Sequence, residues 1–352
     1  MTAVHLGLPS TRSASTIAER PDTPYLVDTY GRRATDLRVS LTDRCNLRCR
    51  YCMPEEGLPW LPKDEVLNTG ELIRLITLAV QELGVTEVRF TGGEPLLRPD
   101  LATVVAALAA LKQRPRMSIT TNGLSLRRKA AELAEAGLDR VNVSLDSIRR
   151  DTYHRMTRRD RLGDVLAGLG AASRAGLAPV KINAVLLRGI NDDQARELLD
   201  FCLENGYRLR FIEQMPLDAG RTWERRDMVT ADEILHQLSR GYTLTPVPVP
   251  RGSAPAEEWL VDGGPQTIGV IASVTRPFCG NCDRTRLTAD GQVRNCLFAQ
   301  DEADLRGPMR AGATDTELAH RWQDVMWAKA PGHGIDSASF APPARPMSAI
   351  GG

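Results

Sequence analysis

A chain of 352 residues can bury a full-sized core, with room for a second and smaller one. With 42% hydrophobic residues, 25% charged residues and a formal net charge of +1, it has the balance of a globular protein. That excludes a disordered tail or a histone-like polycation and argues against general nucleic-acid binding. The longest helix-like apolar run, Leu101–Leu111, is too short to cross a bilayer, and residues 1–20 lack the apolar core of a signal peptide. A cytoplasmic location without a membrane partner is expected.

Residues 1–35 hold no long periodic stretch and read as a partly disordered leader. From 36 to about 225 strand and helix signals alternate. Strands are predicted at Leu37–Leu41, Glu87–Phe90, Met117–Thr121, Val141–Leu145, Val180–Val185 and Leu209–Ile212. Helices are predicted between them at Gly70–Leu83, Leu101–Leu111, Arg127–Ala136, Arg161–Ala175 and Asp193–Asn205. Such alternation implies right-handed crossovers and a parallel sheet. Six units fall short of the eight of a closed barrel, so the expected fold is α/β, an open, partial (βα)6 barrel. Beyond 225 the pattern changes to a short helix at Ala231–Leu238, an extended stretch at Thr245–Pro250 and a strand at Thr267–Val274. Residues 226–340 read as a smaller C-terminal domain and 341–352 as a tail.

Polar residues recur where the six strands end, at Thr42–Asp43, Thr91–Glu94, Thr121–Gly123, Asp146–Ser147 and Glu213–Met215. Each alone is ordinary turn chemistry. Five in one register point to a site at the carboxyl edge of the sheet.

Seven cysteines fall in two knots and one singleton. Cys45, Cys49 and Cys52 have the spacing C-x3-C-x2-C, and Cys279, Cys282 and Cys296 the spacing C-x2-C-x13-C. Three thiolates can hold three irons of a [4Fe–4S] cube and leave the fourth iron open to a ligand. Structural zinc, which normally takes four protein ligands, is the alternative for both, with Cys202 as a possible fourth ligand for the second. Cys202 otherwise reads as a small buried apolar residue on its helix. No G-x4-G-K-[ST] segment occurs, which disfavours a P-loop NTPase.

The first triplet, with Tyr51 before its last cysteine, and the TGGEP turn at 91–95 resemble the radical S-adenosylmethionine (SAM) superfamily. In that reading the two glycines let backbone approach SAM and the ionised Glu94 accepts from its ammonium. Residues 37–54 (LRVSLTDRCNLRCRYCMP), 142–147 (NVSLDS), 180–183 (VKIN), 278–291 (FCGNCDRTRLTADG), 295–298 (NCLF) and the closing 350–352 (IGG) closely resemble the GTP 3′,8-cyclases of molybdenum cofactor synthesis.

The resemblance implies two [4Fe–4S] clusters, SAM as cofactor and GTP as substrate. A 5′-deoxyadenosyl radical would take hydrogen from C3′, and the C3′ radical would attack C8. The resemblance places SAM contacts at Tyr51, Gly93, Ser144 and Met215, and GTP contacts at Arg38, Arg89, Thr120, Lys181, Arg284 and Arg286. Alternation in an extended segment would send Arg284 and Arg286 to one side. The terminal Gly351 and Gly352 are implied to insert toward the active site. Activity is expected under anaerobic, reducing conditions, with a flavodoxin or ferredoxin as electron donor. A homodimer and cyclic pyranopterin monophosphate synthase as the next enzyme are also implied. One departure stands out: some members carry a lysine two residues before Arg89, where this chain has Glu87. The rival readings are a two-cluster enzyme acting on a peptide and a zinc-stabilised binding module.

Overall fold

The structure, a computed structural model, describes residues 19–351; residues 1–18 of the expected leader, and Gly352, lie outside the described residues. Twelve strands among the described residues form one sheet: β1 (Asp36–Ser40), β2 (Glu87–Thr91), β3 (Arg116–Thr121), β4 (Arg140–Ser144), β5 (Lys181–Val185), β6 (Arg208–Ile212), β7 (Leu244–Pro246), β8 (Glu257–Val261), β9 (Thr267–Ile271), β10 (Arg284–Leu287), β11 (Gln292–Arg294) and β12 (Ala303–Asp304). The helices are α1 (Thr69–Gln81), α2 (Leu101–Ala109), α3 (Leu126–Glu135), α4 (Arg150–Thr157), α5 (Leu162–Arg174), α6 (Ala195–Glu204), α7 (Ala231–Ser239), α8 (Arg306–Arg310), α9 (Asp315–Trp327) and α10 (Met347–Ile350).

Strands β1 to β6 run parallel in chain order, each joined to the next through helix. The C-terminal segment then adds to both edges. Strand β9 continues parallel beyond β6 and carries β8 and β7, while β10 lies parallel to β1 and carries β11 and β12. The sheet stays open, as six units lead one to expect.

One alternation runs through all six central strands. Leu37 and Val39, Val88 and Phe90, Met117 and Ile119, Val141 and Val143, Ile182 and Ala184, and Leu209 and Phe211 are buried in the main apolar core, with helix residues such as Leu72, Leu75, Val104 and Leu108. Burying each such side chain contributes about 1.5–3 kcal/mol before chain entropy is counted. The opposite positions are polar, among them Arg38, Arg89, Thr120, Ser144, Asn183 and Arg210, and these line a cavity. The curl of the sheet therefore encloses a polar interior rather than layers of aliphatic side chains.

Helix starts follow local chemistry. Capping boxes open α1 (Asn68 with Glu71), α7 (Thr230 with Glu233) and α9 (Thr314 with Glu317), each contributing on the order of 1 kcal/mol. Helix α9 buries Leu318, Trp322 and Met326 at four-residue spacing. Its Trp322 Nε1 donates to Thr285 Oγ1 at 2.9 Å, which fixes Thr285 on the outer face of β10 and turns Arg284 and Arg286 to the inner one. Among the described residues no helix is long and apolar enough to cross a membrane.

Candidate active site

Both cysteine triplets, from opposite ends of the chain, line one cavity of about 330 Å³. The first sits on the loop after β1. Gly93 N donates to Thr42 O (2.7 Å) and Glu94 N to Arg44 O (2.8 Å), so the TGGEP turn pairs with the residues just before Cys45. Neither glycine tolerates a side chain: a Cβ on Gly92 would collide with the Thr42 carbonyl and one on Gly93 with those of Asp43 and Arg44. From the other side the loop rests on the end of α4. Arg48 N donates to Thr157 O (3.1 Å) and Arg50 N to Met156 O (3.0 Å). Arg158, in the left-handed region at φ 56°, turns its guanidinium back to the carbonyls of Arg48 (2.9 Å) and Met53 (3.0 Å).

The acids in the strand-end turns staple neighbouring loops together. Glu94, expected to accept from the SAM ammonium, is buried and not among the residues that line the cavity. It accepts from Leu96 N (2.9 Å), Thr121 Oγ1 (2.7 Å) and Asn122 N (2.7 Å), and burial raises it to about 7 against those three bonds. Asp146 accepts from Val185 N and from Tyr51 Oη (2.9 and 3.0 Å). Glu213 accepts from Ala231, Val274 and Thr275 N–H groups (2.8, 2.9 and 2.9 Å). Each ties one strand end to the next loop. Replacing Glu94 with glutamine puts an NH2 against donors and should destabilise the fold by about 1–3 kcal/mol. Thermal melts read this as a drop in Tm, and an unchanged Tm would mean the staple is dispensable.

Tyr51, Gly93, Ser144 and Met215, the expected SAM contacts, all line the cavity near the first triplet's end of the sheet. Five expected GTP contacts, Arg38, Arg89, Thr120, Arg284 and Arg286, line it as well. Lys181 does not; it stands beside Asn142 in the β4–β5 register, and burial and then Arg210 push it down to about 8. Gly351 is also outside the lining, but its carbonyl accepts from Arg286. Met347 and Ser348, just before it, do line the cavity.

Arg210, unmarked in the sequence reading, belongs to the same basic floor. Its Nη2 donates to Asn142 Oδ1 at 2.7 Å, and its stem passes Gly269, where a Cβ would lie 3.0 Å from Cγ. The cations outnumber their counter-ions. Asp36 is shared by Arg38 (3.2 Å), Arg89 (3.8 Å) and Arg284 (3.9 Å), and Asp283 lies 3.8 Å from Arg284. Burial would raise Asp36, yet Arg38, Arg89 and Arg284 hold it at about 2. Burial, with Arg38 next, lowers Arg286 to about 9, Arg210 to about 10 and Arg89 well below the guanidinium range. The Nε atoms of Arg38, Arg89, Arg210 and Arg284 are buried without a partner. Such a floor is built for a polyanion with many acceptor oxygens. Glu87 takes no part in it, pairing instead with Arg116 and with Arg140 (3.2 Å).

The donor sets fit iron–sulfur clusters. His333 cannot complete a zinc site with the second triplet: its Nε2 donates to Ser273 O (3.0 Å) and its Nδ1 accepts from Ile335 N (3.1 Å). Cys202 lies in the apolar core on α6, away from the cavity. Among the described residues no three His, Cys, Asp or Glu side chains gather on one point, as a single-ion site requires. A cubane asks instead for thiolates spread over separate irons.

Comparison with known proteins agrees with this site. Residues 39–202 match the radical SAM superfamily and residues 207–335 match the Molybdenum Cofactor Synthesis C family. The chain is 62% identical over 336 residues to a GTP 3′,8-cyclase of Streptomyces coelicolor, covering 95% of this chain and 98% of that one. It is 59% identical over 360 residues to GTP 3′,8-cyclase 2 of Mycobacterium tuberculosis, covering 100% of both. Among solved structures, SuiB of Streptococcus suis bound to S-adenosylmethionine shares the fold at a TM-score of 0.58 and 15% identity, over 87% of this chain and 68% of that one. Superfamily membership brings one [4Fe–4S] cluster and SAM. With both family segments present and near-full-length identity to such enzymes, the chain belongs to the GTP 3′,8-cyclase family of radical SAM enzymes.

Proposed function

We propose that this chain cyclises GTP to 3′,8-cyclo-7,8-dihydro-GTP, with SAM at the first triplet, the triphosphate on the arginine floor and a second [4Fe–4S] cluster on Cys279, Cys282 and Cys296. The observation that carries the reading is the joint lining of one cavity by two three-thiolate sets and a floor of buried, under-compensated arginines. Cys45, Cys49 and Cys52 would hold the first cluster, which would supply the electron for reductive cleavage of SAM and so the radical that takes the C3′ hydrogen of GTP.

The rest falls to the protein. Gly92 and Gly93 open the backbone for SAM, and Tyr51, Ser144 and Met215 line its place, with Tyr51 braced by Asp146. Arg38, Arg89, Arg210, Arg284 and Arg286 bind phosphate oxygens, with Lys181 and Thr120 beside them. Cys279, Cys282 and Cys296 would hold the second cluster, which would supply a Lewis-acidic contact that orients the purine. Phe278, Leu297 and Phe298 line that end and exclude water from the radical. The arginine and tail contacts hold GTP in one pose, so C3′ meets the donor and C8 lies within reach of the new radical. Residues 36–225 thus form the SAM half and 226–340 the second-cluster half. At the tail, the Gly351 carbonyl closes on Arg286. We further place the reaction in the cytoplasm of a homodimeric enzyme. It would take electrons from a flavodoxin or ferredoxin and hand its product to cyclic pyranopterin monophosphate synthase.

The test is anaerobic reconstitution with iron and sulfide, followed by dithionite, SAM and GTP. Mass spectrometry should find 5′-deoxyadenosine together with a cyclised nucleotide of GTP's own mass, and Cys45→Ala should lose both. If 5′-deoxyadenosine forms and GTP is untouched, the substrate assignment fails. Absence of both from protein with intact clusters overturns the catalytic reading.

A further inference from the structure

Lys329, two residues beyond α9, is 4% exposed. Its Nζ donates to Arg284 O (2.9 Å), Cys282 O (3.3 Å) and Cys282 Sγ (3.4 Å). Arg284 Nη1 approaches the same sulfur at 3.7 Å. Among the described residues no carboxylate lies within ion-pair distance of Lys329. A buried ammonium without a counter-ion is costly, by several kcal/mol in the interior. The group placed to supply the missing negative charge is the Cys282 sulfur.

The other five thiols are treated differently. Cys279 and Cys296 receive backbone N–H groups, from His333 and from Phe298 (3.5 Å). In the first triplet, Cys45 receives Leu47 N (3.4 Å) and Asn122 Nδ2 (4.0 Å), and Cys52 receives the backbone of Ser348. Arg32 stands near Cys279 and Arg286 near Cys296, but the cations that hydrogen-bond a sulfur, Lys329 and Arg284, both do so at Cys282.

We infer that Lys329 is a positioning residue for the second cluster: its charge balances the Cys282 thiolate and holds that cluster's reduction potential above the value it would otherwise have. The inference rests on the two-cluster reading. A cation hydrogen-bonded to a thiolate ligand favours the reduced cluster, which carries one more negative charge, over the oxidised one. In the first triplet Arg48 and Arg158 lie near Cys45 and Cys49, but the hydrogen bonds to its sulfurs come from neutral donors. The two centres are therefore tuned apart, the first toward a strong reductant and the second toward easier reduction.

The experiment is a redox titration of the reconstituted holoenzyme followed by electron paramagnetic resonance, with the two centres told apart because SAM perturbs the first. Lys329→Met and Lys329→Gln should both lower the midpoint of the second cluster and leave the first unmoved, while Lys329→Arg should restore most of the shift. Loss of the second cluster from Lys329→Met and Lys329→Gln, with retention in Lys329→Arg, supports the same charge role. A second-cluster midpoint unchanged in Lys329→Gln, in protein holding two clusters' worth of iron, overturns the inference. Iron for a single cluster in the unsubstituted holoenzyme overturns the two-cluster reading itself, a separate and recognisable result.

Discussion

Replacing Arg89 with methionine should weaken GTP binding by about 100-fold, or ~3 kcal/mol, and leave the empty protein at least as stable as before. Its guanidinium is 11% exposed, its Nε has no partner, and the nearest carboxylate, Asp36, is 3.8 Å away and already shared. Burial and the neighbouring Arg38 both disfavour its charge. Without a ligand the cation is a burden on the fold, and an apolar side chain of similar length removes that burden. With a triphosphate bound, the same cation makes charge-assisted bonds in a site shielded from water. Calorimetric titration with GTP and with guanosine separates the two effects. The methionine variant should lose most of the preference for the triphosphate, while its melting temperature holds or rises. A marked fall in melting temperature with GTP affinity intact would make Arg89 a structural partner of Asp36 instead.

Much of this site is readable along the chain because its parts are local. Cys45, Cys49 and Cys52 share one loop, and the strand–helix alternation that places them after β1 is a pattern of neighbours. The alternation in an extended segment also puts Arg284 and Arg286 on one side, as found in β10. What was hidden depends on residues far apart. Glu94 looks like a ligand beside two glycines, but its carboxylate accepts from two donors at the end of β3 and one in the short turn it caps. Helix α4 is short and strongly polar, with buried Thr152, Tyr153, Met156 and Thr157 crowded on one side, so its apolar period is weak. Its value lies in carbonyls offered to the cysteine loop about a hundred residues earlier. Arg210 carried a usable signal. RLRFI in β6 repeats the polar-in, apolar-out pattern of DLRVS in β1 and EVRFT in β2. Arginine at the middle position of three parallel strands points to one shared interior.

Gly351→Ala should cut cyclisation by about 10- to 100-fold, within the range a misplacement of about 1 Å can cause, while 5′-deoxyadenosine formation and the melting temperature stay near their unsubstituted values. Gly351 has φ 82°, a region costly to side-chain-bearing residues. A Cβ there would lie 2.8 Å from Thr91 Cγ2 and 3.1 Å from Ser40 Cβ, at the ends of β1 and β2. The tail cannot simply retreat. Ile350 is buried, and Arg345 grips Asp290 through two bonds of 3.0 and 2.8 Å. The strain therefore falls on the tip and withdraws the Gly351 carbonyl from Arg286. Arg286 is then free to swing among the neighbouring cations, and GTP loses the fixed pose that brings C3′ to the donor. The first triplet, on which SAM cleavage depends, meets the tail through the Ser348 backbone at Cys52, and its turn meets the tip at the Thr91 methyl, which can give way without moving the glycines. The expected signature is uncoupling, with 5′-deoxyadenosine formed in excess over cyclised nucleotide. Equal yields of the two products at the unsubstituted rate would remove the tail from the catalytic assembly. Loss of both together would instead place Gly351 upstream of SAM cleavage.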